Sequence, residues 1–391
     1  MIAGVIPILF LVATQSWAQD GVEVVSPGGV VKLTLEMRDG EPTYSVERLG
    51  ADILSASQLG VRFSEGASFD TGLTLAGTEN ATFDETWTQV WGEKKDIRNN
   101  YNELRAALQT SGDTPRRMDI VFRVYDDGFG FRYEWPEQEH LGTFVIAEEL
   151  TEFNIAGDPK VWWIPAYGRS HYEYVWREDP LSGIARNQAV HTPLTMETAD
   201  RLYLSIHEAA LVDYSSMSLI PDGDGGLKAD LAPWGGDDGF TLVRGRTPLV
   251  SPWRTVQIAD TPGGLIESYL ILNLNEPNAL DDTSWIKPAK YIGIWWSMHL
   301  GDWTWETGPN HGATTEHAKR YIDFAAEHDL PNVLIEGWNA GWDGRWWGDG
   351  VNMNFTRPTD DFDLDEVMAY AADRGVNIVG DLPPGNSLAL M

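Results

Sequence analysis

The chain has 391 residues, 42% of them hydrophobic, with 59 acidic against 28 basic side chains and a net charge of −31. That length allows two or three domains with buried cores. The charge argues against nucleic acid or anionic membrane as partners, because both would repel it.

Residues 1–18 carry no charged side chain. Ile2 to Val12 form an apolar core too short to span a bilayer, followed by polar Thr14, Gln15 and Ser16. Ser16 and Ala18 put small side chains where a signal peptidase reads them, so residues 1–18 are expected to be a signal peptide directing the protein to the periplasm or outside the cell. No Lys or Arg follows Met1 to give the leader its usual positive start, so the true start is expected upstream. The absence of cysteine fits an exported protein without disulfides.

From Val22 to Leu274 short alternating runs recur, among them Val30-Val-Lys-Leu-Thr-Leu-Glu, Asp119-Ile-Val-Phe-Arg-Val-Tyr and Leu202-Tyr-Leu-Ser-Ile. Turn signals separate them: Arg38-Asp-Gly, Asp126-Asp-Gly and Asp222-Gly-Asp-Gly-Gly. Period-two patterning with turns at this spacing predicts an antiparallel sandwich. The last of these turns opens like a calcium-binding EF-hand loop, but Pro233 stands where the bidentate Glu is required. It therefore reads as a hairpin turn.

The polar, Pro-containing segment from Asn275 to Ser284 marks a domain boundary, giving a sandwich over 19–280 and a second domain over 281–391. Beyond it a strand is expected at 291–298, then a helix at 313–328 with Ala318, Tyr321, Ile322 and Ala325 on one face and Thr314 or Thr315 as its cap. A strand at 332–336, a long loop, a helix at 364–374 starting near Asp363 and a strand at 376–379 complete a βαβαβ unit. Such units build (β/α) barrels, whose active sites lie at the C-terminal ends of the strands.

Nine of the eighteen tryptophans fall between Trp285 and Trp347, mixed with Glu, Asp, Asn and His where these strands run out. Indole faces stack on the C–H faces of sugar rings while carboxylates bind the hydroxyls. Trp296, Trp303, Trp338 and Trp342 are candidate sugar platforms, each with packing under a loop as the alternative. Glu336, closing the second strand, is a candidate for hydroxyl binding or for a buried ion pair. Asp302 and Asp343, in the following loops, are candidates for hydroxyl binding that surface turns explain equally well, and His311, without a companion at metal-ligand spacing, reads as a loop residue.

Three segments carry a resemblance. They are Lys290-Tyr-Ile-Gly-Ile-Trp-Trp-Ser-Met-His, Gly308-Pro-Asn-His-Gly-Ala-Thr-Thr-Glu-His-Ala-Lys-Arg-Tyr-Ile-Asp-Phe-Ala-Ala-Glu and Val333-Leu-Ile-Glu-Gly-Trp-Asn-Ala-Gly-Trp. Together with Tyr125-Asp-Asp-Gly-Phe-Gly-Phe-Arg-Tyr, Ser205-Ile-His-Glu-Ala-Ala-Leu-Val-Asp-Tyr and Pro252-Trp-Arg, they closely resemble glycoside hydrolase family 97. The resemblance implies a multi-domain β plus α/β protein: an N-terminal β-super-sandwich followed by the first part of a TIM (β/α) barrel. It implies hydrolysis of α-glucosidic or α-galactosidic bonds in oligosaccharides, a calcium ion near the catalytic site, and a periplasmic location. α-Glucosidase action is the first expectation.

By the same resemblance Glu208 is the sandwich's calcium ligand, with Glu173 as the rival. The match ends at Gly380, and the glutamate that inverting members place shortly after would fall at Pro383. No catalytic acid or base is therefore assigned, and inverting against retaining chemistry stays open. Residues 288–391 number 104, against about 250 for a complete barrel, so the chain as written is expected to be a truncated, inactive fragment. A non-catalytic carbohydrate-binding protein is the alternative.

Overall fold

The computed structural model describes residues 21–167, 173–223, 225–233, 241–342 and 353–380. The signal-peptide reading of 1–18, and the readings of Asp343 and Pro383, lie outside them. The chain divides into two compact units between Ala279 and Leu280.

The first unit is antiparallel throughout its sheets. A four-stranded meander runs Val22–Val25, Val31–Arg38, Glu41–Arg48 and Ala51–Gln58. Its alternation is that of the sequence: Val31, Leu33, Leu35, Tyr44 and Val46 point inward and are buried, while Lys32, Thr34 and Ser45 lie between them with more exposure. A ten-stranded sheet faces this core. Its centre is Tyr203–Ala209, Trp253–Ala259, Gly128–Trp135 and Arg117–Tyr125, neighbours in that order. Tyr44 of the meander meets Phe131 of the large sheet with ring centroids 5.2 Å apart, and Phe122, Phe129 and Phe153 fill the space around them. Trp253–Ala259 is buried at all seven positions, as a strand covered on both faces must be.

Gly128 sits where only glycine fits. Its φ is +143°, and a Cβ there would lie 2.2 Å from the Val256 carbonyl oxygen of the neighbouring strand. The Asp222-Gly-Asp-Gly-Gly segment joins the strands Met217–Pro221 and Gly226–Leu231, so the hairpin reading holds. The expectation of strands as far as Leu274 does not. Pro262–Glu267 and Leu270–Asn273 are short helices, the first capped by the Thr261 hydroxyl. Leu270 and Leu274 cover Trp253, Tyr101 and Tyr125, the aromatic outer face of the large sheet. Helices of one turn leave no periodicity for a sequence reading to detect.

The second unit holds a parallel sheet in chain order, Tyr291–Gly293, Asn332–Ile335 and Asn377–Gly380, with Tyr291, Asn332 and Asn377 in register. Helix Thr315–Glu327 is capped by Thr314, whose hydroxyl accepts from the His317 amide. Helix Leu364–Asp373 is capped by Asp363 in the same way. Ala318, Ile322 and Ala325 of the first helix and Val367 and Ala371 of the second bury against Val333 and Ile335. The first strand is shorter than expected. It ends at Gly293, and Trp296–His299 forms a helical turn in place of the second half of the strand predicted at 291–298. Parallel pairing is satisfied only as far as Gly293, opposite Leu334, and the apolar run beyond it packs as a turn.

Candidate functional site

The C-terminal ends of the three parallel strands carry the residues with chemistry. Glu336 directly follows the second strand, and its Oε2 accepts a 2.7 Å hydrogen bond from Trp305 Nε1. Trp305 in turn stands edge-on to His299 at 5.0 Å, and His299 edge-on to Trp295 at 5.2 Å. Trp295, Trp303, Trp305 and Trp338 all lie half-buried against the second unit's core.

The predicted platforms separate in this setting. Trp296 is 57% exposed and open to solvent. Trp303 lies flat on His317, with centroids 3.9 Å apart and planes within 8°, and is half-buried against the core. Trp338 leans on Phe362, and its Nε1 would stand 3.8 Å from a Cβ placed on Gly380, at the end of the third strand. Trp342 is buried, its Nε1 bonded to Asn339 at 2.9 Å, so it offers no platform. Asp302 is exposed in the loop after the first strand. Trp305, which no sequence argument singled out, is the indole that binds Glu336. The Trp-x-Trp spacing at 303 and 305 was the available signal, since alternate residues of an extended loop share a face.

His311 departs most from its sequence reading. It is buried, with Nδ1 2.8 Å from Asp361 Oδ2 and Nε2 3.0 Å from the Gly337 carbonyl oxygen. Burial would raise the Asp361 carboxyl, but hydrogen bonds from His311 and Thr359 override it and hold the group below its ordinary value. The Thr359 hydroxyl donates to Asp361 Oδ1 at 2.9 Å, and the Thr359 amide donates to the Trp338 carbonyl at 2.9 Å.

Glu208 lies in the first unit on the strand Tyr203–Ala209, directly opposite Arg254 on the neighbouring strand. Its carboxylate accepts from Arg254 Nη1 at 2.7 Å and from the Met217 amide at 3.1 Å. Arg254, with no exposed surface, also donates twice to Glu149, at 2.8 and 2.7 Å. One guanidinium thus serves two buried carboxylates. Burial raises the Glu208 carboxyl above its ordinary value despite the pull of Arg254 and the Met217 amide. Burial opposes the Arg254 charge as well, but Glu149 and Glu208 more than offset it and raise the guanidinium's pKa. Glu173, the rival, is exposed.

The donor chemistry of Glu208 suits calcium, which takes about six to eight oxygens. Both of its oxygens already meet donors, however, and among the described residues no three His, Cys, Asp or Glu side chains gather as a metal site needs. The described residues do not form a calcium site by themselves.

An antiparallel sandwich precedes a parallel βαβαβ unit with indoles and a carboxylate at its strand ends, where barrel enzymes place their sites. Comparison with known proteins agrees. Residues 24–277 match the glycosyl-hydrolase 97 N-terminal family and residues 295–381 match glycoside hydrolase 97. The chain belongs to glycoside hydrolase family 97.

Among solved structures, a family 97 enzyme from a Pseudoalteromonas species in complex with acarbose superposes with a TM-score of 0.84 at 40% identity, over 92% of this chain and 54% of that one. A β-arabinopyranosidase at 20% identity shares the fold, with a TM-score of 0.73. The retaining alpha-galactosidase of Bacteroides thetaiotaomicron is 24% identical over 93% of this chain, and a probable retaining alpha-galactosidase of Streptomyces bingchenggensis is 28% identical over 97%. The chain spans 55% of the length of each of these two.

Proposed function

We propose that this chain supplies the sandwich and the first barrel strands of an exported α-glycoside hydrolase acting on oligosaccharides. The observation that carries the proposal is the Glu336–Trp305 pair at the end of a parallel strand, flanked by Trp303 and Trp338, in a family 97 chain. A carboxylate among half-buried indoles can bind a sugar ring by hydroxyl contact and stacking together. Similar proteins support an α-linked substrate: two are named as alpha-galactosidases, one of them probable, and a family 97 enzyme is seen in complex with acarbose.

Hydrolysis needs two carboxyl groups, one to protonate the leaving oxygen and one to activate water or attack carbon. No residue of this chain is assigned to either role. Calcium and the periplasmic location belong to the proposal too, with Glu208, if freed from its present donors, as the candidate ligand.

Titration of the 391-residue chain with maltotriose and with raffinose, followed by tryptophan fluorescence, tests the reading and separates glucoside from galactoside preference. Binding of either sugar that Glu336→Gln and Trp338→Ala weaken supports it. Binding of neither would overturn the sugar-contact role of Glu336 and Trp338.

A further inference from the structure

Three consecutive residues at the end of the second parallel strand are each bonded from elsewhere in the second unit. Trp305 Nε1 holds the Glu336 side chain, His311 Nε2 meets the Gly337 carbonyl, and the Thr359 amide donates to the Trp338 carbonyl. The last two anchors converge on a single side chain, since His311 Nδ1 and the Thr359 hydroxyl both reach Asp361. Gly337 between them has φ +85°, and a Cβ on it would stand 3.2 Å from the Trp305 carbonyl oxygen. The backbone there turns in a way that no other residue adopts easily, and its carbonyl needs a donor to stay aimed.

The chemistry of the ring follows from its two neighbours. A carbonyl oxygen only accepts, so Nε2 must bear hydrogen, and an ionised carboxylate only accepts, so Nδ1 must bear one as well. A neutral ring would press one lone pair against an oxygen in a buried place.

We propose that His311 is a positioning residue of the sugar site: a doubly protonated ring, counter-charged by Asp361, that aims the Gly337 carbonyl and thereby fixes Glu336 and Trp338. The inference rests on the reading of those two residues as sugar contacts. Its test uses the whole 391-residue chain with histidine ring nitrogens labelled. Long-range proton–nitrogen spectra at pH 7.5, with the His311 signals identified by their loss in His311→Gln, should place both ring nitrogens in the protonated range. In Asp361→Asn, which leaves the ring in place, one nitrogen should move to the unprotonated range.

Sugar binding gives the second readout. In whichever of maltotriose and raffinose the wild type binds, His311→Gln, which keeps one donor, should weaken affinity by about tenfold. Asp361→Asn should weaken it in the same direction even where its melting temperature matches wild type. An unprotonated His311 nitrogen in the wild type, or wild-type affinity in both variants, overturns the positioning role. A wild-type chain that binds neither sugar overturns the sugar-site reading instead, and the positioning role with it.

Discussion

Arg254→Met removes the single cation from between Glu149 and Glu208, and the consequence can be worked from the burial around it. Arg254 is fully buried, Glu149 is 1% exposed and Glu208 is 8% exposed. Arg254 gives two bonds to Glu149 and one to Glu208, the Met217 amide gives one to Glu208, and the Thr151 and Tyr214 hydroxyls each donate to Glu149. Methionine fills much of the arginine stem's volume, so little packing is lost. What remains is two carboxylates that have lost their counter-charge in a place water does not reach. Breaking a buried pair in this way costs about 3–5 kcal/mol. At about 2–4 °C per kcal/mol for a domain of this size, the melting temperature of the first unit should fall by roughly 6–20 °C.

The pH dependence has a definite sign. Glu208's folded pKa is raised, so between its unfolded and folded values the native state holds more protons, and stability declines as pH rises through that window. Arg254 pulls the Glu208 carboxyl down, so removing it widens that window upward, and the variant's deficit should shrink on acidification from pH 7.5 to pH 5. The triple change Glu149→Gln, Glu208→Gln, Arg254→Met should recover much of the loss, because neutral replacement of a whole buried ionic group is often tolerated. Calorimetry of the intact chain at the two pH values makes the measurement. An Arg254→Met variant within about 1 kcal/mol of wild type at pH 7.5, or one whose deficit grows on acidification, would refute the electrostatic account.

Gly128→Ala should destabilise the first unit by about 2–4 kcal/mol, through a strained φ and a clash with the Val256 carbonyl; urea unfolding checks this. Thr314→Ala removes the hydroxyl that caps Thr315–Glu327 and should cost about 1 kcal/mol in the second unit, with Thr314→Ser restoring it. Ile322→Ala, at a fully buried position between helix and sheet, should cost about 2–5 kcal/mol by the same assay. Glu208→Gln should lower calcium affinity in titration calorimetry if the ion meets the sandwich at that carboxylate. Unchanged affinity removes Glu208 from the ligand set and turns attention to Glu173.

Much of the fold is legible in one dimension because its instructions are local. Val31, Leu33 and Leu35 declare a half-buried strand by period alone, and Ala318, Ile322 and Ala325 declare a helix face. Thr314 and Asp363 mark helix starts because a side-chain oxygen beside free amides is a local fact. The segments that misled are those in which local pattern is ambiguous. The apolar run from Ile292 to Met298 suits a strand as well as a turn, and only pairing to Leu334 decides that extension stops at Gly293.

The site divides along the same line. Glu336 and the Trp-rich strand ends were visible from the sequence, since strand ends are where a parallel sheet exposes its side chains. Which indole meets the carboxylate was not, because Trp305 and Glu336 are 31 positions apart. Glu208 and Arg254, 46 apart, become neighbours only when two strands lie in register, and His311 finds Asp361 50 positions on. Sequence period settles which way a side chain faces. Charge state, hydrogen-bond partner and access to solvent belong to groups that only the folded chain brings within reach, and those decide whether a given Glu or His binds a ligand or another residue.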